Sequence, residues 1–335
     1  MFNLDEVETI YIGGGNPAIS INNINKISKI INSNVKSNNI KEFTIESNPV
    51  NINKKLIKTL KKINCNRVSV GIQSFNKKVL IYCNRKKQDL NTINEALKLL
   101  NENNFNISID LINGLPFTEY QIEIDNLDQV MKKYANIKHI SFYGLSIEKG
   151  SYFYKLNNIK YAGNNEVKSY EKEFIKLIKK KGFKRYEVSN YAKNKNYSLH
   201  NLNYWKYKNY LGLGPSAHSK VDKLKIENKP EINKYINNKD YKIEYKLTEK
   251  ELIKEYILMG FRLMAGINIE DFYQMFNVSI KELLGKNMEK YILQKMIKIN
   301  KNNIMITSRG MNILNRILVD FFVELDLYFS RKGNN

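Results

Sequence analysis

Three residues of unlike chemistry close successive apolar runs of this 335-residue chain. Glu46 ends KEFTIES (41–47), Gln73 ends RVSVGIQ (67–73), and Asp110 lies near the end of NISIDLI (106–112). A fourth run, ETIYIG (8–13), leads into Gly13, Gly14, Gly15 and Asn16. Carboxylates and a primary amide are poor strand residues, and any one of them could serve only as a cap or turn. Their recurrence at the C-terminal ends of strands is where α/β folds gather ligand-binding groups. The glycines let the backbone turn tightly and approach a ligand closely. Literally, GGGNPA fits G-x-G-x-x-A with Glu46 ending the second strand, which makes a dinucleotide-binding α/β protein an alternative. Against it, Pro17 restrains Asn16 from helical φ/ψ, so a helix cannot begin at the glycines. That alternative also leaves Gln73, Arg85 and Asp110 without a role.

The elements that must hold these residues are legible as alternating periodicities. Strand runs at 8–13, 41–47, 67–73, 106–112, 138–145 and 184–192 alternate with helical patterns. Those helices span about 20–33, 51–63, 76–82 with 89–103, 118–133 and 165–181. Runs dense in Ile and Val, joined by helices, imply a parallel sheet covered on its outer face. After 245 the pattern turns helical, over 248–267, NIEDFYQMF and SIKELLGKNMEKYILQKMIKI. A hairpin at NIMITSRG and a last helix over about 311–328 follow. The expected organisation is an α/β domain over 1–221, a connecting segment over 222–247 and a small, mainly helical domain over 248–335.

Composition excludes several classes. The net charge of +22 invites a nucleic-acid partner, but the lysines are scattered among Asn, Ile and Tyr as AT-rich codons would supply them. The expectation is therefore no specific nucleic acid, with a field that still draws in anions. No run of about 18 apolar residues predicts a membrane span, and the acidic MFNLDEVETI is unlike a signal peptide, so a cytoplasmic location is expected. The two cysteines, Cys65 and Cys83, form no CxxC or CxxxC pair and are expected to be small buried hydrophobes.

His200 and His218 flank the aromatic stretch NYWKYKNYLGLG. A histidine beside aromatic rings can ligate heme iron while the rings pack on the porphyrin. Equally, His200 can cap or pack a loop, with Tyr204 and Trp205 as core aromatics. His139, inside a strand, reads as structural.

In order, TIYIGGGNP, ESNP, NRVSVGIQSF, SIDLINGLP, HISFYGLSIEKG and RYEVSNYA resemble the motifs of the radical S-adenosylmethionine family of oxygen-independent coproporphyrinogen III oxidase-like proteins. HNLNYWKYKNYLGLGPSAHS (200–219) carries the HNxxYW element of the family's heme chaperone HemW branch, and MGFRLMAGIN and ITSRGMNILN extend the likeness to the C-terminal region. The resemblance implies a partial (β/α)6 barrel with a small, mainly helical C-terminal domain. It implies that backbone groups of Gly14, Gly15 and Asn16, with the side chains of Glu46, Gln73, Arg85 and Asp110, hold S-adenosylmethionine. Acceptors suit that ligand's ammonium and ribose hydroxyls, and Arg85 suits its carboxylate. It further implies heme contact through His200, heme-accepting proteins as partners, and a 4Fe–4S cluster.

The cluster expectation fails within this sequence. The family's C-x3-C-x2-C motif lies upstream of the glycine loop, where residues 1–7 offer no cysteine, and Cys65 and Cys83 have the wrong spacing. The expectation is that the first βα unit of the family fold is missing, which would leave an unpaired sheet edge and make dimerisation plausible. Asn16, Ala18 and CNRKK (83–87) also depart from the family's usual Thr, Ser and GR-x-H. A heme chaperone-like carrier is the expected function. The alternative is a coproporphyrinogen III oxidase of porphyrin biosynthesis, for which these cysteines supply no cluster.

Overall fold

The computed structural model describes residues 4–149, 153–156, 161–238 and 241–332. Gly150, which ends the HISFYGLSIEKG motif, falls outside them. The chain divides into two compact units, one of Met1–Arg185 with Ser189–His200, the other of Tyr186–Val188 with Asn201–Asn335.

The first unit is a seven-stranded sheet with helices on one face. Its elements run β1 (Thr9–Ile12), α1 (Ile21–Asn34), β2 (Glu42–Ser47), α2 (Lys54–Lys62), β3 (Arg67–Gln73), α3 (Lys77–Tyr82) and α4 (Leu90–Glu102). They continue through β4 (Asn106–Asn113), α5 (Tyr120–Lys133), β5 (Ile137–Gly144), α6 (Asn164–Lys180), β6 (Phe183–Arg185) and β7 (Asn190–Lys193). The strand order is β1-β2-β3-β4-β5-β7-β6, with β1 to β5 mutually parallel. Helices start where Ser20, Asn53, Asn76 and Asp89 accept a hydrogen bond from the first turn. The five βα units and their bounds match the periodicities closely. In α1, however, Ile24 alone of the helix's isoleucines is fully buried, while Ile27 and Ile30 face solvent.

Alternation divides the sheet into two chemically different faces. Phe43, Ile45, Val68, Val70, Ile72, Ile107, Ile109, Leu111, Ile140 and Phe142 form the apolar face, packed on Leu56, Leu60, Leu97, Leu100, Leu127 and Phe174 of the helices. Phe142 stacks on Phe174 with ring centroids 3.9 Å apart. The opposite, inner face is polar. Register places Thr44 beside Arg67 and Glu46 beside Ser69, then Ser69 beside Ser108 and Gly71 beside Asp110. Ser108 lies beside His139, and Asp110 beside Ser141.

The expected sixth parallel strand over 184–192 is corrected. The chain forms β6, leaves the sheet at Tyr186–Val188, and returns as β7 between β5 and β6, antiparallel to both. Tyr186 and Glu187 instead join the second unit, where Tyr186 O accepts from Met264 N at 2.9 Å and Glu187 bridges to Leu263. Backbone groups bound elsewhere cannot continue a ladder.

Helix α7 (Leu199–Trp205) crosses the division between units. Residues 222–247, expected as a connection, contribute strands to a three-stranded antiparallel sheet of β8 (His218–Val221), β9 (Leu224–Asn228) and β10 (Lys242–Lys246), with α8 (Ile232–Ile236) between β9 and β10. Next come α9 (Glu249–Gly260), β11 (Ile267–Asn268), α10 (Ile269–Phe276), α11 (Ile280–Leu293), β12 (Ile297–Asn300), β13 (Asn303–Ile306), α12 (Ser308–Met311) and α13 (Leu314–Lys332). The helix expected over 248–267 stops at Gly260, where a Cβ would lie 2.4 Å from Ile267 as the chain folds back. Ile257, Phe261, Phe272, Leu284, Ile304 and Phe321 centre this unit's core. Among the described residues no helix is long and apolar enough to cross a membrane.

Candidate functional site

The residues singled out at the strand ends converge on the inner face. Tyr11 points there from β1, since it pairs in register with Thr44. Its hydroxyl donates to Glu46 Oε1 at 2.6 Å, and Gly14 N–H donates to Glu46 Oε2 at 3.1 Å. Burial and the Glu46 carboxylate keep the Tyr11 phenol protonated far above its usual range, so it stays a donor. A Cβ at Gly13 would sit 2.6 Å from Tyr11 Cε1 and 2.9 Å from Glu46 Cδ, so only glycine lets the loop close over this pair. Gly14 and Gly15 both take φ +84, with open space where a Cβ would be.

Asp110 is the second carboxylate of the site. Both its oxygens accept from Ser69 Oγ, at 3.1 and 3.0 Å, and Ser141 also bonds to it. Desolvation outweighs those bonds and raises its carboxyl to about 6, with Glu46 adding to the rise. Between pH 3.8 and about 6 the folded protein therefore holds a proton that the unfolded chain has lost. The stability this carboxyl contributes is fully present below the lower value and is lost as pH rises through the upper one. The expected size is on the order of 3 kcal/mol. Urea-unfolding midpoints of the wild type against Asp110→Asn over this range should converge at the acid end and separate towards neutrality. Parallel curves would refute the assignment.

Arg85, after α3, donates through NH1 to Asn48 Oδ1 at 2.9 Å, Gly71 O at 3.0 Å and Gln88 Oε1 at 3.3 Å. It ties the end of β2 to the end of β3 and places a half-buried cation beside Asp110. Gln73 takes a left-handed φ of 67°, and its Nε2 lies 3.2 Å from where a Gly71 Cβ would be. The Asn16 side chain is turned to the scaffold: Nδ2 donates to Asn51 Oδ1 at 2.7 Å and Oδ1 accepts from Asn48 N–H.

His200 also belongs to this unit. Its Nδ1 lies 2.9 Å from Thr9 Oγ1, and its ring stacks on Tyr11 at 5.1 Å. Glu42, buried at the start of β2, accepts from the backbone N–H of Leu199 and His200 and from Ser198 Oγ. Burial lowers the His200 imidazole below its usual range despite the nearby Glu42 carboxylate, so the ring is neutral at neutral pH. The site thus runs from His200 through Tyr11 and Glu46 to Gly14. In the second unit, Tyr204 meets Tyr210 edge-on at 4.6 Å, and Arg262 lies 5.5 Å above Trp205. His139 is wholly buried and bonded to Ser108 Oγ at 2.8 Å, as a structural histidine would be.

Tyr11, Asn48, Ser69, Ser141 and Glu42 went unmarked in the sequence reading. For Glu42, Ser69 and Ser141 the signal was present as polar residues two apart in E42-x-T44-x-E46, R67-x-S69, S108-x-D110 and H139-x-S141.

Two alternative cofactors are tested by these residues. Helix α1 begins at Ile21, after Pro17–Ile19 form a separate turn, so no α-helix begins at the glycines as a dinucleotide site requires. Cys65 is buried, donates to Arg67 O and is pushed up to about 12, while the half-buried Cys83 is pushed up to about 11. Among the described residues no group of three or more His, Cys, Asp or Glu could hold a metal. The residues present do not fit a 4Fe–4S cluster.

Comparison with known proteins adds an independent line. Residues 2–125 match the Radical SAM superfamily model, and residues 247–313 match the HemN C-terminal domain. The heme chaperone HemW of Buchnera aphidicola subsp. Schizaphis graminum is 32% identical over 329 residues, covering 94% of this chain and 84% of that protein. The heme chaperone HemW of Lactococcus lactis subsp. lactis is 26% identical, covering 96% and 86%. The solved structure of coproporphyrinogen III oxidase (HemN) from Escherichia coli superimposes with a TM-score of 0.79 at 19% identity, covering 94% of this chain and 77% of that one.

Proposed function

This chain belongs to the radical SAM family, on its heme chaperone HemW branch, and from that membership we propose that it binds heme for delivery to heme-accepting proteins and holds S-adenosylmethionine on its inner sheet face. The observation that carries the second half is the convergence of Glu46, Asp110 and the open Gly14–Gly15 backbone on one polar face. S-adenosylmethionine presents an ammonium, a sulfonium and ribose hydroxyls, and the strand ends of this face offer the Glu46 and Asp110 carboxylates and backbone groups. Arg85 supplies positive charge for the ligand's carboxylate, although its NH1 also braces the strand ends. A cationic ligand favours ionised Asp110, so affinity is expected to fall as pH drops below about 6. Equilibrium dialysis with labelled S-adenosylmethionine at pH 5 and 7.5 tests this; no binding at either pH refutes it.

For heme, we assign contact to His200. A neutral imidazole is the form that ligates iron, and the Nδ1 contact with Thr9 favours coordination through the other nitrogen. Heme titration should give a Soret shift in the wild type. His200→Ala is expected to lose it or weaken binding at least about tenfold, the equivalent of roughly 1.4 kcal/mol. An unchanged spectrum and affinity would remove His200 from the heme site.

A further inference from the structure

The inner face carries a second feature that the S-adenosylmethionine reading leaves unused. Arg67, at the start of β3, is only 3% exposed, yet its Nε and NH1 have no hydrogen-bond partner. Among the described residues it makes no ion pair, and its neighbour in register, Thr44, is fully buried with an unpartnered Oγ1. Asp110, the carboxylate that feels its charge, already bonds to Ser69 and Ser141. His139, which also feels it, is kept neutral by burial and by Arg67 itself. Buried guanidinium groups are ordinarily paired, because a dry, uncompensated cation opposes folding.

We propose that Arg67 and Thr44 form a binding site for a small monovalent anion on the inner face, one residue pair below the Ser69–Asp110 contact. Arg67 contributes two N–H-bearing nitrogens and its charge, and the Thr44 hydroxyl donates as a third group. Small neighbours, Ser69 and Ser108, line this part of the face, and Glu42, Glu46 and Asp110 lie on the same face. Those carboxylates disfavour a multiply charged ligand, so a halide or an anion the size of nitrate or formate is the fitting class. The site uses none of the residues assigned to S-adenosylmethionine, although Asp110 feels the charge of Arg67.

Bromide is the probe. The full chain, crystallised in sodium bromide, is expected to give an anomalous peak in hydrogen-bonding contact with Arg67. In solution, replacing gluconate by bromide at constant ionic strength should raise the melting temperature by a few degrees and saturate, as a ligand bound only to the folded state requires. Arg67→Gln should abolish the saturable rise, and Thr44→Val should reduce it. Where Arg67→Gln does not fold, Thr44→Val and the wild-type crystal decide. Ordered water alone at Arg67, or an equal rise in a folded Arg67→Gln protein, overturns the proposal.

Discussion

Glu46→Ala is expected to weaken S-adenosylmethionine binding by about 30-fold or more, with the fold retained. Glu46 is the joint of the site, since one oxygen receives the Tyr11 hydroxyl and the other the Gly14 N–H. Its removal would deny the proposed ligand an acceptor and free the glycine loop that would meet the ligand's amino-acid end. A hydrogen bond to a charged group is worth about 1.5–3 kcal/mol, and 1.4 kcal/mol is a tenfold change. Glu46→Gln keeps the shape and one carbonyl acceptor but loses the charge, so it should fall between the two. Titration calorimetry on all three proteins orders them, and equal affinities would take Glu46 out of the site. Heme titration of the same variants asks whether Tyr11, stacked on His200, carries the change further.

The second large effect is on stability. Glu123, from α5, is 1% exposed and accepts from Ser74 Oγ and from Phe75 N–H at 2.9 Å, with Asn76 N–H adding to the set. It holds the loop that follows Gln73, where the backbone turns through a left-handed residue. Glu123→Ala would strand the Ser74 hydroxyl and the Phe75 amide in a dry environment, while Asn76 N–H keeps Ser74 Oγ as an acceptor. Each such group costs about 1–3 kcal/mol, so a total loss of about 3 kcal/mol is expected after relaxation. Glu123→Gln keeps one acceptor and should lose less. Urea unfolding measures the difference, and limited proteolysis should show new cleavage around residues 73–77 in the alanine variant. A midpoint within experimental scatter of the wild type would mean the loop holds itself.

These two residues mark how far the amino-acid order can be read. Glu46 was recognisable because a carboxylate closing an apolar strand is out of place there. Glu123 sits in an amphipathic helix among other acids, and nothing within its own window shows that it turns inward to Ser74, 49 residues away. Asn16 shows the reverse case: its position in the loop was legible, but its side chain is bonded to Asn51 and Asn48.

Five βα units, their helix caps, the apolar outer face and the placement of chemistry at strand ends were all written in local periodicity. Each depends on residues two to four apart, and so did the ordered motifs that identify the family. The reversal of the last strand was not local, because it depends on Tyr186 and Glu187 finding partners at Met264 and Leu263. Nor was the contact of His200 with Thr9, 191 residues away, or the burial of Arg67 against Thr44. Period and propensity determine what a segment becomes and which face it buries. Which distant donor meets which acceptor is settled only when the strands come together in three dimensions, where most buried polar groups find a partner.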